Sequence, residues 1–211
     1  QKIKNSNVII NCIAETDFKK CIMHGDFANV KIPEALNQFI KKKYFIHIST
    51  DAFYESRNNS SSETAPLTFN NLYSKQKFKA ENILRSNDVL IIRTSFVGKN
   101  PRGTGLLNYI ESALQNEKLI QGWDDVYTSS VHVSHLVSLI SKLISNRLTG
   151  TYNYGTKEAY SKYSYLKAIM DGLGNKKRLL SRVNCPLSDI KRNQKCGLNS
   201  ELLSKDLAIE L

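Results

Sequence analysis

The sequence predicts an α/β protein, a doubly wound parallel sheet followed by a smaller mixed lobe, and three observations predict it. Short apolar runs alternate with segments of helical period, the apolar runs lack strict period-two alternation, and the texture changes near Gly103. Alternating strand and helix is the pattern of β-α-β units, and strands covered by helices on both faces read as near-continuous apolar runs.

In chain order, NVIINCIA (7–14) reads as a strand, NVKIPEALNQFIKKK (29–43) as a helix and YFIHIST (44–50) as a second strand. The polar stretch YESRNNSSSETAPLTFN (54–70) must then be a surface loop at the carboxyl end of that strand, where ligand crevices form. NLYSKQKFKAENILRS (71–86) follows as a helix and VLIIRTSFVG (89–98) as a third strand. Beyond it, GLLNYIESALQN, VSHLVSLISKLISN and KYSYLKAIMDGLG have the spacing of amphipathic helices, TGTYNYG that of a short strand, and ELLSKDLAIEL closes the chain as a helix. These readings divide the chain into a core over 1–100 and a lobe over 101–211, with elements returning to the core.

With 211 residues and 41% hydrophobic content, the chain can bury one core with an appended lobe. No apolar run approaches the roughly 20 residues of a membrane span, so no membrane partner is expected. Cys12, Cys21, Cys185 and Cys196 lack C-x-x-C spacing, and with the scattered His24, His47, His132 and His135 they form no metal cassette. They read as structural thiols, and the N-terminus has no export signal, so the expected compartment is the reducing cytoplasm. The formal charge of +11 is large, yet no aromatics interleave with KKK (41–43) or NKKR (175–178) to stack on bases, which argues against nucleic acid.

LYSKQKFKAEN (72–82) places Tyr73 and Lys77 four positions apart on one helical face. A lysine ammonium beside a phenol stabilises phenolate, so such a tyrosine can donate a proton to a carbonyl oxygen. The spacing alone recurs in many helices. HISTDAF adds Ser49, Thr50 and Asp51 at a strand end about 20 residues before the tyrosine, where a hydroxyl can orient the same carbonyl. The plain alternative is a turn or helix cap, which Ser, Thr and Asp also favour.

From these residues outward the chain resembles the extended short-chain dehydrogenase/reductases, and most closely the dTDP-4-dehydrorhamnose reductase-like proteins that act on nucleotide sugars. VIINCIAET resembles the strand and turn along the cofactor, ANVKIPEAL the next helix, ISTDAF the catalytic strand end and LYSKQKFKAE the Tyr-x-x-x-Lys helix. IIRTSFVGKN resembles the following strand and substrate loop, and TGTYNYGTKEAYSKYSYLKAI the substrate-lobe strand and helix. The resemblance implies a Rossmann-like sheet and reduction, by NADPH or NADH, of a nucleoside-diphosphate 4-keto-6-deoxy sugar for surface polysaccharide synthesis. It implies Tyr73 as general acid, Lys77 as contact to the nicotinamide ribose and depressor of the Tyr73 pKa, and Thr50 as partner of the carbonyl. Cys12, Ile13 and Ala14 would lie along the cofactor. Asp51, Phe96 and Arg192 would meet the substrate, with Phe96 equally readable as core and Arg192 as a solvated arginine. In KRNQKCGLN and the following serine, Asn199 or Ser200 would cap the last helix. A homodimer is left open.

The chain also departs from the family. The glycine-rich turn that holds the cofactor pyrophosphate at a helix N-terminus is not in this sequence, which opens where the fourth strand of such a sheet begins. Roughly 50 residues with the first strands are therefore expected to be missing, and weak NAD(P)H binding by this chain alone is expected. Ala52 stands where related dehydratases carry the glutamate of an Asp-Glu pair, which disfavours dehydration, and Ser74 replaces a glycine. The alternative function is a non-catalytic nucleotide-sugar or dinucleotide-binding subunit, similar to the regulatory beta subunit of methionine adenosyltransferase; a polyanion-binding module is a third.

Overall fold

In this computed structural model the described residues are 5–24, 26–40, 43–85, 88–173, 179–187 and 191–210. The chain runs through β1 (Val8–Asn11), α1 (Phe18–Met23), a π-helical turn (Phe27–Lys31) continuous with α2 (Ile32–Asn37), β2 (Tyr44–Ile48), α3 (Leu72–Leu84), β3 (Val89–Thr94) and β4 (Phe96–Val97). It continues through α4 (Leu106–Gln115), β5 (Ile120–Trp123), β6 (Tyr127–Thr128), β7 (Val131–His132) and α5 (Val133–Asn146). The remainder is β8 (Gly150–Tyr154), β9 (Tyr160–Ser161), α6 (Lys162–Gly172), β10 (Leu180–Val183), β11 (Lys195–Cys196) and α7 (Glu201–Leu207).

The central sheet has four parallel strands in the order β1-β2-β3-β8. Every residue of β2 and β3 is buried, which is why those runs lack alternation in the sequence. The two faces nevertheless separate by parity. Tyr44, Ile46, Ile48, Leu90 and Ile92 pack with Tyr152 and Tyr154 against Leu136, Leu139 and Leu143 of α5 and Leu203 of α7. Ile9, Phe45, Val89 and Ile91 pack on the opposite face with Ile40 and with Leu84 of α3. Each such aliphatic side chain contributes about 1.5–3 kcal/mol by leaving water.

Two elements differ from their sequence reading. TGTYNYG, which resembles a strand of the substrate lobe, is β8 of the central sheet, pairing residue by residue with β3 from Leu90↔Gly150 to Thr94↔Tyr154. Its buried tyrosines complete the apolar face that α5 covers, so tertiary pairing decides where the strand goes. The predicted helix over 29–43 begins earlier, as the π-helical turn, and α2 ends at Asn37. Pro33 lies in the first turn of α2, where a residue without an N–H is tolerated and the preceding backbone widens.

That turn buries Asn29, whose side chain pins the segment after β1. Its Oδ1 accepts the Glu15 N–H at 2.9 Å, and its Nδ2 donates to the Glu15 carbonyl at 3.1 Å and to Gln76 Oε1 at 3.1 Å. Gln76 in turn donates to the Cys21 carbonyl at 3.2 Å, so α3 is tied to α1 as well as to Asn29. A third hydrophobic cluster lies apart from the sheet: Ile110 and Ala113 of α4, Ile120 of β5 and Leu166 and Met170 of α6. Close backbone approach joins the lobe to the loop after β2. A Cβ on Gly197 would lie 1.7 Å from the Asn59 carbonyl oxygen, and Ser61 bridges Leu198 in parallel. No helix among the described residues is long and apolar enough to cross a membrane.

Candidate active site

Helix α3 begins because Asn71, in extended conformation, accepts the Ser74 N–H on its side chain at 2.9 Å. This cap sets Tyr73 in the first turn and Lys77 one turn on, both buried and turned toward the carboxyl end of β2. The Tyr73 ring stacks on Phe18 at 5.3 Å between centroids, with 23° between the planes. Burial pushes its phenol up to about 12, opposed by the nearby Thr50 hydroxyl, which favours the phenolate. The expected depression by Lys77 is not seen. The lysine nitrogen donates instead to the Ile48 carbonyl at 3.0 Å and lies 3.4 Å from His47 Nε2, so burial dominates the phenol.

Thr50 and Asp51 continue from β2 into the cavity. The Thr50 hydroxyl accepts the Ala52 N–H at 3.2 Å and donates to Asp51 Oδ1 at 3.5 Å, so Ser-Thr-Asp forms a local turn at the strand end. Thr128 donates to Asp51 Oδ2 at 3.4 Å, and hydroxyl contacts run on from Thr128 to Ser130 at 2.8 Å and from Ser130 to Ser95 at 2.7 Å. Burial raises the Asp51 carboxyl to about 6, partly offset by Lys162 and by these donors.

These groups open into a cavity of about 810 Å³ between the carboxyl edge of the sheet and the lobe. Phe96 lines it at 47% exposure, not as a core residue. Arg192 also lines it, its guanidinium 4.3 Å above the Phe18 ring and 5.9 Å from that of Trp123. Lys162, at the start of α6, stands 4.8 Å over Trp123. Its pKa is lowered by burial and by Arg192. Two cations thus share one aromatic wall. Cys12, Ile13 and Ala14 lie outside the cavity lining, just past β1, with Cys12 and Ile13 exposed and Cys12 close enough to Lys77 for their charges to interact.

Sequence reasoning did not single out Lys162, Trp123 or Phe18 as lining residues. A single tryptophan in 211 residues was the one available signal. Near the chain's end, the Asn199 side chain accepts the Glu201 N–H at 2.8 Å, while Ser200 occupies the cap position without a capping bond, its hydroxyl instead accepting the Gly155 N–H at 3.0 Å. Among the described residues no group of three or more His, Cys, Asp or Glu is arranged to hold a metal ion.

Comparison with known proteins places this arrangement in a family. The model of the RmlD substrate binding domain matches residues 1–211. Among solved structures, a hypothetical dTDP-4-dehydrorhamnose reductase from Sulfolobus tokodaii is similar with a TM-score of 0.81 and 24% identity, over 96% of this chain and 74% of that one. A dTDP-4-dehydrorhamnose reductase from Bacillus anthracis in complex with NADP is similar with a TM-score of 0.84 and 21% identity, over 95% and 74%. The DesIV dTDP-glucose 4,6-dehydratase from Streptomyces venezuelae, with NAD and TYD bound, is similar with a TM-score of 0.80 and 19% identity, over 100% and 70%. A comparison with curated proteins gave no match. The family match over the full sequence, on a Rossmann-like parallel sheet, identifies the chain as a member of the RmlD substrate binding domain family.

Proposed function

We propose that this chain carries the substrate-binding and proton-donating residues of an NAD(P)H-dependent reductase acting on a nucleoside-diphosphate 4-keto-6-deoxy sugar. The observation that carries the reading is that the buried Tyr73 and Thr50 line one cavity of about 810 Å³ together with Asp51. A phenol raised to about 12 is protonated at neutral pH, which suits a donor and not a base. Thr50 shares the substrate's carbonyl oxygen with Tyr73 and orients it. Asp51, with Thr128 and Ser130 behind it, receives sugar hydroxyls. Phe96 and Trp123 offer apolar faces to the sugar and base.

Arg192 and Lys162 supply the positive charge that a diphosphate needs, held in place by the Phe18 and Trp123 rings. Ala52 beside Asp51 leaves no second carboxylate at this point of the chain, which favours reduction over dehydration.

The residues present fit the nicotinamide end of a dinucleotide. The buried Lys77 lies close enough to Cys12, just past β1, for their charges to interact, and Cys12 and Ile13 there are exposed. NAD(P)H, when bound, supplies the hydride. The chain's part is to hold the carbonyl, to give the proton from the Tyr73 oxygen and to keep water out with the Phe18 ring.

The test is absorbance-monitored NAD(P)H oxidation by the full encoded protein against a panel of 4-keto nucleotide sugars. Turnover of a dTDP-linked member is the expected result. Tight binding of cofactor and sugar with no turnover across the panel would assign the protein to the regulatory-subunit class instead.

A further inference from the structure

His47 lies fully buried on β2, between Asn11 of β1 and Lys77 of α3, on the sheet face that α3 covers. Its hydrogen bonds can be assigned by elimination. The Asn11 Oδ1 accepts the Ile13 N–H at 3.2 Å, which turns Nδ2 toward His47 Nδ1 at 3.1 Å. An amide nitrogen only donates, so Nδ1 must accept. A neutral imidazole with its lone pair on Nδ1 carries its proton on Nε2. That N–H points at the Lys77 nitrogen, 3.4 Å away.

An ammonium also only donates, and here it would set one donor against another in the protein interior. An amine has no such conflict. One N–H still donates to the Ile48 carbonyl at 3.0 Å, and the nitrogen lone pair receives the imidazole N–H. We infer that His47 is a positioning residue: Asn11 locks its ring as the Nε2–H tautomer, and that N–H favours the amine over the ammonium form of Lys77. The inference deepens the proposed reductase and rests on that reading for its catalytic meaning. A lysine that holds its proton loosely can give it up during turnover, whereas one paired to a carboxylate cannot.

The surroundings agree in direction. Lys77 is lowered to about 8, chiefly by burial, against Glu81 one turn further along α3 and Cys12 beyond β1, which both act to raise it. His47 is pushed well below the ordinary histidine value by burial and by Lys77, so its ring stays neutral. His47, Glu81 and Cys12 are the titratable groups that face Lys77 from β2, α3 and the β1 end.

The test needs no turnover. Long-range ¹H–¹⁵N spectra of the 211-residue chain resolve the ring nitrogens of its four histidines, and His47→Gln assigns the signal that disappears. Between about pH 6 and 9 the His47 ring is expected to remain the neutral Nε2–H tautomer. An Nδ1–H tautomer, or an imidazolium in that range, overturns the inference. The ¹³Cε signal of Lys77, assigned by its loss in Lys77→Met, is expected to titrate near 8 in the wild type. His47→Leu should raise that midpoint by about one unit, a tenfold gain in proton affinity, and His47→Gln, which restores an N–H donor, should lower it again. An unchanged Lys77 titration in His47→Leu refutes the coupling.

Should His47→Leu fail to fold, Asn11→Asp serves. A carboxylate there would take the proton on Nδ1 and turn the tautomer, and a ring still Nε2–H would overturn the lock. Kinetics separate this inference from the reductase reading. No turnover with tautomer and titration as expected sinks only the reaction, and normal turnover with the wrong tautomer sinks only the inference.

Discussion

Arg93, beside helix α3, and Lys77, on it, are both buried basic groups, and they are handled in opposite ways. Arg93 on β3 meets Glu81 through Nε at 3.0 Å and Nη2 at 2.7 Å, with Nη1 donating to the Tyr54 hydroxyl at 2.6 Å. Ser49 donates to the same carboxylate at 2.6 Å, and the Phe53 ring lies 5.3 Å from the guanidinium. The pair holds Arg93 above its already high ordinary value. Lys77, one turn before Glu81, is given a carbonyl and a neutral ring, and falls to about 8. A buried charge with a bidentate partner and a full set of hydrogen bonds belongs to the framework. One held by neutral groups is left free to change its protonation.

The largest expected effect lies on the chemical side of that contrast. Tyr73→Phe in the full encoded protein should lower turnover about 10²- to 10⁴-fold, the usual weight of a general acid. The ring still stacks on Phe18, so stability and cofactor binding should barely move. A variant with wild-type turnover would discard the mechanism. On the framework side, Glu81→Ala leaves the Arg93 guanidinium buried and unpaired, at a cost of about 3–5 kcal/mol. Urea unfolding checks it, and a loss of under about 1 kcal/mol would mean that Arg93 is not held as described.

A pH series sharpens the comparison further. Between about 8 and the unfolded value of 10.5, the unfolded chain binds a proton at Lys77 that the folded chain does not. Stability from this group therefore rises with pH across that window, and the cost of burying the ammonium is fully present below it. Lys77→Met removes that dependence, so its stability relative to wild type should decline by up to about 3 kcal/mol from pH 8 to 10.5. Equal stability curves would place the lysine titration elsewhere.

Asp51 should give the smallest effect. Its carboxyl is raised from 3.8 to about 6, so the stability it contributes is present below pH 3.8 and lost as pH rises through 6. Asp51→Asn should flatten that loss, worth about 1–2 kcal/mol because the residue is half-buried and partly screened. Thermal melts at pH 4 and pH 7 read the difference.

The placement of several candidate residues was legible because its signals are local. The Tyr73 and Lys77 spacing needs only helical geometry, although the Asn71 cap that starts the helix emerged only from the structure. Thr50 and Asp51 follow an apolar run that could be only a buried strand. Lys162 and Trp123 were not legible, because they face Asp51 and Arg192 through folding of the lobe onto the sheet, across separations of up to 111 positions for Asp51 and Lys162. Arg93 read as one residue of a strand until Glu81 gave it a partner.

By itself, the sequence determined the parallel sheet, the α3 helix with its chemical face, and the strand end that carries Thr50. Each depends on periodicity or apolar content within a dozen residues. Only the tertiary structure decided that β8 joins the central sheet, that two cations share one aromatic wall, and that His47 is trapped between Asn11 and Lys77. The physical reason is that a proton's position, unlike a helix, is set by donors and acceptors brought together from distant segments, and burial then magnifies each mismatch between them.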